Sequence, residues 1–132
     1  MIFVDTNYFI RLLVEDDKRQ LKIAKELFLK GANQEVDLVT SSVVIFETYW
    51  ALKSIYKLSK AKLAEGLKVI LGMPFIKLPE RNILVEALEL HEETAVELVD
   101  CYHLILAREL RCDDVASFDR KLRRLVEKYW SK

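Results

Sequence analysis

Short unbroken apolar runs alternate along the chain with longer segments in which apolar residues return every three or four positions. Ile2-Phe3-Val4 is the first such run, and it leads straight into Asp5-Thr6-Asn7 without polar alternation. That pattern reads as a central strand covered on both faces, with Asp5 presented at its carboxyl end, where open parallel sheets place ligands. The same residues also suit a helix N-cap, because Tyr8-Phe9-Ile10 and Leu12-Leu13 follow. Tyr8 to Leu13 predicts a short helix. Asp17 caps a second, with Leu21, Ala24, Leu27 and Phe28 at helical spacing and Gly31 at its exit.

Val36 to Thr40 predicts a strand, and Ser41-Ser42 caps a third helix running from Val43 to about Tyr56. Leu58 to Leu71 predicts a fourth helix, with Ser59 as its cap, which Gly72-Met73-Pro74 ends. Phe75 to Leu78 predicts a strand, and Pro79 opens a helix that turns Ile83, Ala87, Leu88 and Leu90 inward. A later helix carries Leu104, Ala107 and either Cys101 or Leu110 as a buried stripe, with Asp100 near its start, or begins earlier at a Thr94–Glu97 capping box. Val115 to Ser117 predicts a brief strand, after which Asp119 either ends the strand or caps the next helix. Leu125 to Trp130 continues that helix or forms an edge strand. Strands alternating with amphipathic helices predict an α/β class with a mainly parallel sheet.

A chain of 132 residues, 52% apolar and 32% charged, predicts a single folded domain over 1–132. Lys plus Arg equals Asp plus Glu at 21 each, so any grip on a polyanion must come from local clusters or a metal. Cys101 and Cys112 lack zinc-ligand spacing and read as free thiols. No apolar run approaches the length of a membrane span, which points to a cytoplasmic protein.

Glu47 has Val43, Val44, Trp50 and Ala51 as its neighbours one turn away, so it is expected to be buried and in need of a cation, a metal or a proton. Asp5, Glu47, Asp100 and Asp119 then form a set of acids at strand ends or helix starts. Oxygen-rich acid sets suit hard divalent ions, which activate water and stabilise charge on a phosphoryl group. The implied chemistry is metal-assisted phosphodiester hydrolysis. His103, three residues beyond Asp100, is a further candidate contact. Arg120, Lys121, Arg123 and Arg124 are candidate phosphate contacts, although a terminal charge run is ordinarily a solvated face.

The Asp5-Thr6-Asn7 opening, Glu47 in Ser-Ser-Val-Val-Ile-Phe-Glu, Val99-Asp100-Cys101-Tyr102-His103 and Ser117-Phe118-Asp119 together resemble the PIN-domain family, in particular its VapC-type toxin ribonucleases. The resemblance runs over essentially the whole chain. It implies a three-layer α/β/α sandwich and one or two Mg2+ or Mn2+ ions held by Asp5, Asp100, Asp119 and Glu47, with Thr6, Asn7 and Ser117 in support. It also implies an RNA substrate and a cognate antitoxin. Cys101 stands where such proteins often have Ala, which leaves room for a softer metal. A homodimer is expected separately, from the aromatic density of Tyr49, Trp50 and Tyr56. The alternatives are a non-cleaving RNA-binding or assembly module of the same fold, and a phospho-accepting receiver domain, which would need an acidic pair after the first strand.

Overall fold

A computed structural model of the chain describes residues 1–130. They form a mostly helical structure with a small parallel sheet, in agreement with the expected α/β/α class. The chain divides into two compact units, Met1–Arg81 and the remainder from Asn82 onward.

The first unit contains the sheet. Strands β1 (Ile2–Phe3), β2 (Leu38–Val39) and β3 (Ile76–Lys77) lie in the order β1-β2-β3. Ile2 is level with Leu38, and Leu38 with Ile76, all parallel. Parallel neighbours require crossovers, which here are helices. Helices α1 (Thr6–Leu13) and α2 (Lys18–Ala32) join β1 to β2, while α3 (Ser42–Ser54) and α4 (Lys60–Leu71) join β2 to β3. The caps are those the sequence suggests: Asp17, Ser41 and Ser59 accept hydrogen bonds from the backbone N–H of Gln20, Val44 and Lys62. Phe9, Leu38, Ile45, Leu52 and Leu67 fill this core, and the rings of Phe9 and Phe28 lie 5.5 Å apart.

Several expectations need correction. β1 is an edge strand, and Ile2 and Phe3 are exposed; only Val4 is buried. Apolar content alone does not separate a central strand from an edge one. Gly31 lies inside the last turn of α2 rather than beyond it, and it is buried. A Cβ there would stand 2.5 Å from a methyl of the buried Leu38 and 3.1 Å from the Phe75 ring. Alanine would gain about 1 kcal/mol of helix propensity, but overpacking costs typically about 1–3 kcal/mol. Gly31→Ala is therefore expected to lower stability by about 1 kcal/mol in urea melts.

The second unit is helical: α5 (Arg81–Glu93, which begins at the boundary), α6 (Leu98–Glu109) and α7 (Arg120–Trp130). Leu84, Ala87, Leu88 and Leu90 of α5 are buried, whereas Ile83 is only half-buried. On α6, Leu98, Cys101, Leu104 and Ile105 are buried; Leu110 is exposed, so Cys101 completes the stripe, and Ala107 is half-buried. Helix α6 does not begin at Thr94: its N-cap is Glu97, and Thr94 Oγ1 donates to Leu90 O and accepts from Val96 N–H. Leu125 to Trp130 continues α7.

Val115 to Ser117 is not a strand. Its polar groups are satisfied locally: Val115 N–H donates to Asp114 Oδ1, Val115 O accepts from Arg123, and Ser117 Oγ accepts from Asp119 N–H. Short side chains that bond their own backbone compete with a ladder, and here they win.

Candidate active site

In the first unit the ladder continues one residue past β1, where Val4 N–H donates to Val39 O. Buried Thr40 then donates its hydroxyl to Val4 O at 2.8 Å, which fixes the chain where it leaves the sheet. Asp5 comes next, with extended backbone, at the N-cap position of α1. Its carboxylate makes no capping hydrogen bond and is exposed. Both readings of Asp5 thus meet: the residue ends the strand and begins the helix, but its side chain is not used to cap. The sequence pattern marks Thr40 only as the last residue of a strand, with Ser41-Ser42 as the cap beyond it, and does not signal this bond.

Glu47 is exposed, not buried as expected. Helix α3 turns Val44, Ile45, Thr48, Tyr49, Ala51 and Leu52 inward, so Val43 and Trp50 are themselves exposed beside Glu47. Thr6 Oγ1 donates to Glu47 Oε1 at 3.2 Å and links the start of α1 to α3. Asp5, Thr6, Asn7 and Glu47 line one open cleft of about 620 Å3, whose apolar wall includes Phe46 and Trp50. Of the aromatics expected at an interface, only Trp50 is strongly exposed, at 61%, while Tyr49 is buried. Tyr56 accepts a hydrogen bond from Arg11 at 3.3 Å.

In the second unit, Asp100 lies in the first turn of α6 and is half-buried. Asp100 and Asp119 line a cleft of about 300 Å3 with Arg120 and Lys121. Burial pushes the Asp100 carboxyl above its ordinary range; the charges of Asp119 and Glu97 push the same way, and His103 opposes them. Asp119 Oδ1 accepts from Leu122 N–H at 2.9 Å, and Ser117 Oγ accepts from Asp119 N–H at 3.1 Å. Asp119 therefore does cap α7, and Ser117 steadies it. Arg123 is engaged with Asp114 at 3.0 Å, which leaves Arg120 and Lys121 as the cations beside the acids. Cys101 is fully buried with its Sγ 3.7 Å from Val96 O, so it belongs to the core rather than to a donor set.

Among the described residues, no three His, Cys, Asp or Glu side chains group as a ready metal cage. The oxygen donors that line the first cleft are nevertheless those of carboxylate, hydroxyl and amide groups, and those of the second are the carboxylates of Glu97, Asp100 and Asp119. Mg2+ takes such donors, keeps several waters and is commonly bound through one or two protein carboxylates plus substrate phosphates, so the donor set fits a hard divalent ion. Repulsion between Asp100 and Asp119 is what such an ion would relieve.

No helix among the described residues is long and apolar enough to cross a membrane. A family model described as PIN domain matches residues 2–128. No curated protein and no solved structure matches the chain.

Proposed function

Since the chain belongs to the PIN-domain family, whose members are generally nucleases that use divalent metal ions, we propose that it is a metal-dependent endoribonuclease acting as the toxin of a VapC-type pair. The observation that carries this reading is Asp5, an exposed carboxylate held at the end of β1 and left unused by the helix it precedes. Residues 1–132 act as one nuclease domain in the cytoplasm. Asp5, Glu47, Asp100 and Asp119 would hold Mg2+ or Mn2+.

When bound, such an ion lowers the pKa of water and stabilises charge on the phosphoryl oxygens. Asp5 supplies a carboxylate that has no side-chain hydrogen-bond or ion-pair partner among the described residues. Thr6 orients Glu47 through its hydroxyl, and Asn7 lines the cleft beside them. Ser117 holds the backbone of Asp119, while Arg120 and Lys121 attract the RNA phosphates. A cognate antitoxin and a second copy of the chain are the proposed protein partners, the latter through the exposed Trp50. Light scattering at high micromolar concentration is expected to give twice the monomer mass; monomer alone would remove the dimer.

The experiment is cleavage of single-stranded and looped RNAs with Mg2+ or Mn2+, with and without chelator. Cleavage is expected only with metal, and cleavage unchanged in excess chelator would sink the metal mechanism. The alternative reading is an RNA-binding or assembly module of the same fold that does not cut. That reading expects RNA binding with no product at any metal concentration.

A further inference from the structure

A third cavity, of about 330 Å3, opens between α1 and α2, lined by Asn7, Tyr8, Arg11, Arg19, Gln20 and Ile23. No acid lines it. Asn7 and Arg11 also line the Asp5–Glu47 cleft, so the two spaces share a wall. Arg11 donates through Nη1 to Asp16 at 2.6 Å and to Tyr56, yet its buried Nε–H has no acceptor. A buried guanidinium N–H left unpaired is costly unless something else completes it. The side chains of Asn7, Tyr8, Arg19 and Gln20 have no hydrogen-bond or ion-pair partner among the described residues.

We propose that this cavity is a phosphate subsite for the RNA nucleotide next to the one cleaved, with Arg11 and Arg19 gripping the phosphate and Tyr8 offering a ring to its base. Three features select that ligand. Guanidinium forks match phosphate oxygens, and here Arg19 has no ion-pair partner among the described residues. Amide donors from Asn7 and Gln20 complete an anion's coordination, whereas a cation would find no carboxylate. The shared Asn7–Arg11 wall sets this cavity beside the Asp5 cleft, so for a strand bound in that cleft the neighbouring phosphate is the anion at hand. An aromatic face beside a phosphate grip is a recurring way of holding single-stranded RNA. The inference rests on the nuclease reading for its substrate, but binding can be read without cleavage.

The full chain in chelator is titrated with uridine 5′-monophosphate while the arginine Nε–H resonances are followed by NMR, with uridine and inorganic phosphate as separate arms. The Arg11 and Arg19 resonances are expected to shift and saturate with the monophosphate, more weakly with inorganic phosphate, and not with uridine. Arg19→Ala, at an exposed position in the first turn of α2, is expected to weaken the monophosphate by roughly tenfold, the loss of one charge-assisted bond, and Arg19→Lys by less. In cleavage assays Arg19→Ala is expected to raise KM while leaving kcat in place. Equal shifts with uridine, or an Arg19→Ala variant that binds as wild type does, would overturn the subsite. A chain that shows the NMR response but never cuts RNA would overturn the nuclease reading and leave the phosphate site standing.

Discussion

Asp5→Asn is expected to lower kcat for RNA cleavage by about a thousandfold, the scale seen when one preorganised charge-stabilising group is removed from an active site. The substitution keeps size and removes charge. Asn remains a good N-cap, and the wild-type side chain makes no capping bond in any case, so the fold should be indifferent. An exposed carboxylate with no internal partner costs nothing to neutralise unless it serves a ligand. Single-turnover assays at saturating Mn2+, beside thermal melts of both proteins, separate catalysis from stability. Activity within a few-fold of wild type would remove the residue on which the proposed function chiefly rests.

Asp119→Asn is expected to split stability from metal response. Asp100 has its folded pKa raised from an ordinary 3.8, by burial first and then by Asp119 and Glu97 against His103. The native state thus holds the Asp100 proton more tightly than the unfolded chain does, and stability falls as pH rises from 3.8 through the folded value. Above that folded value, in chelator, the penalty is fully present. Neutralising Asp119 removes part of it, while Asn can still accept from Leu122 N–H and keep the cap of α7. The variant should therefore melt about 3 °C higher than wild type in chelator, with a shallower loss of stability as pH rises above 3.8. Manganese should reverse the order. A ligand at a hundredfold excess over its Kd stabilises by about 2.7 kcal/mol, and a variant short of one carboxylate gains less. Equal manganese-induced shifts in Tm would mean that Asp119 only caps its helix.

That second test is sharper than the sequence alone allowed, because capping and ligation looked like rivals there. Asp119 Oδ1 serves Leu122, yet a carboxylate has a second oxygen, so one residue can do both. The helices were largely legible, since Asp17, Ser41 and Ser59 announce their starts and apolar spacing marks their inner faces. The orientation of α3 was not. Val43 and Trp50 are apolar, and periodicity counted them as inward, whereas six other residues of the same helix fill the core and turn Glu47 out with them. Val115 to Ser117 failed as a strand for another reason: side-chain bonds from Asp114, Ser117 and Arg123 are local choices that an apolar pattern does not record. The bonds of Thr40 and Arg11 escaped notice because a lone Thr or Arg signals nothing until its partner is known.

The division at Arg81 leaves one tryptophan on each side, Trp50 and Trp130, and the chain has two in all. Their surroundings differ: Trp50 is 61% exposed in the cleft beside Glu47, while the Trp130 indole N–H donates to Cys112 O. The molecule thus carries a built-in pair of optical labels, one for each unit. A Trp130→Phe chain has its tryptophan emission only from the Asp5 cleft, where a ligand arriving against the indole would quench or blue-shift it. A Trp50→Phe chain emits only from the unit that holds Asp100 and Asp119. Stopped-flow fluorescence on the two chains would then time, without any added dye, which unit first registers a ligand.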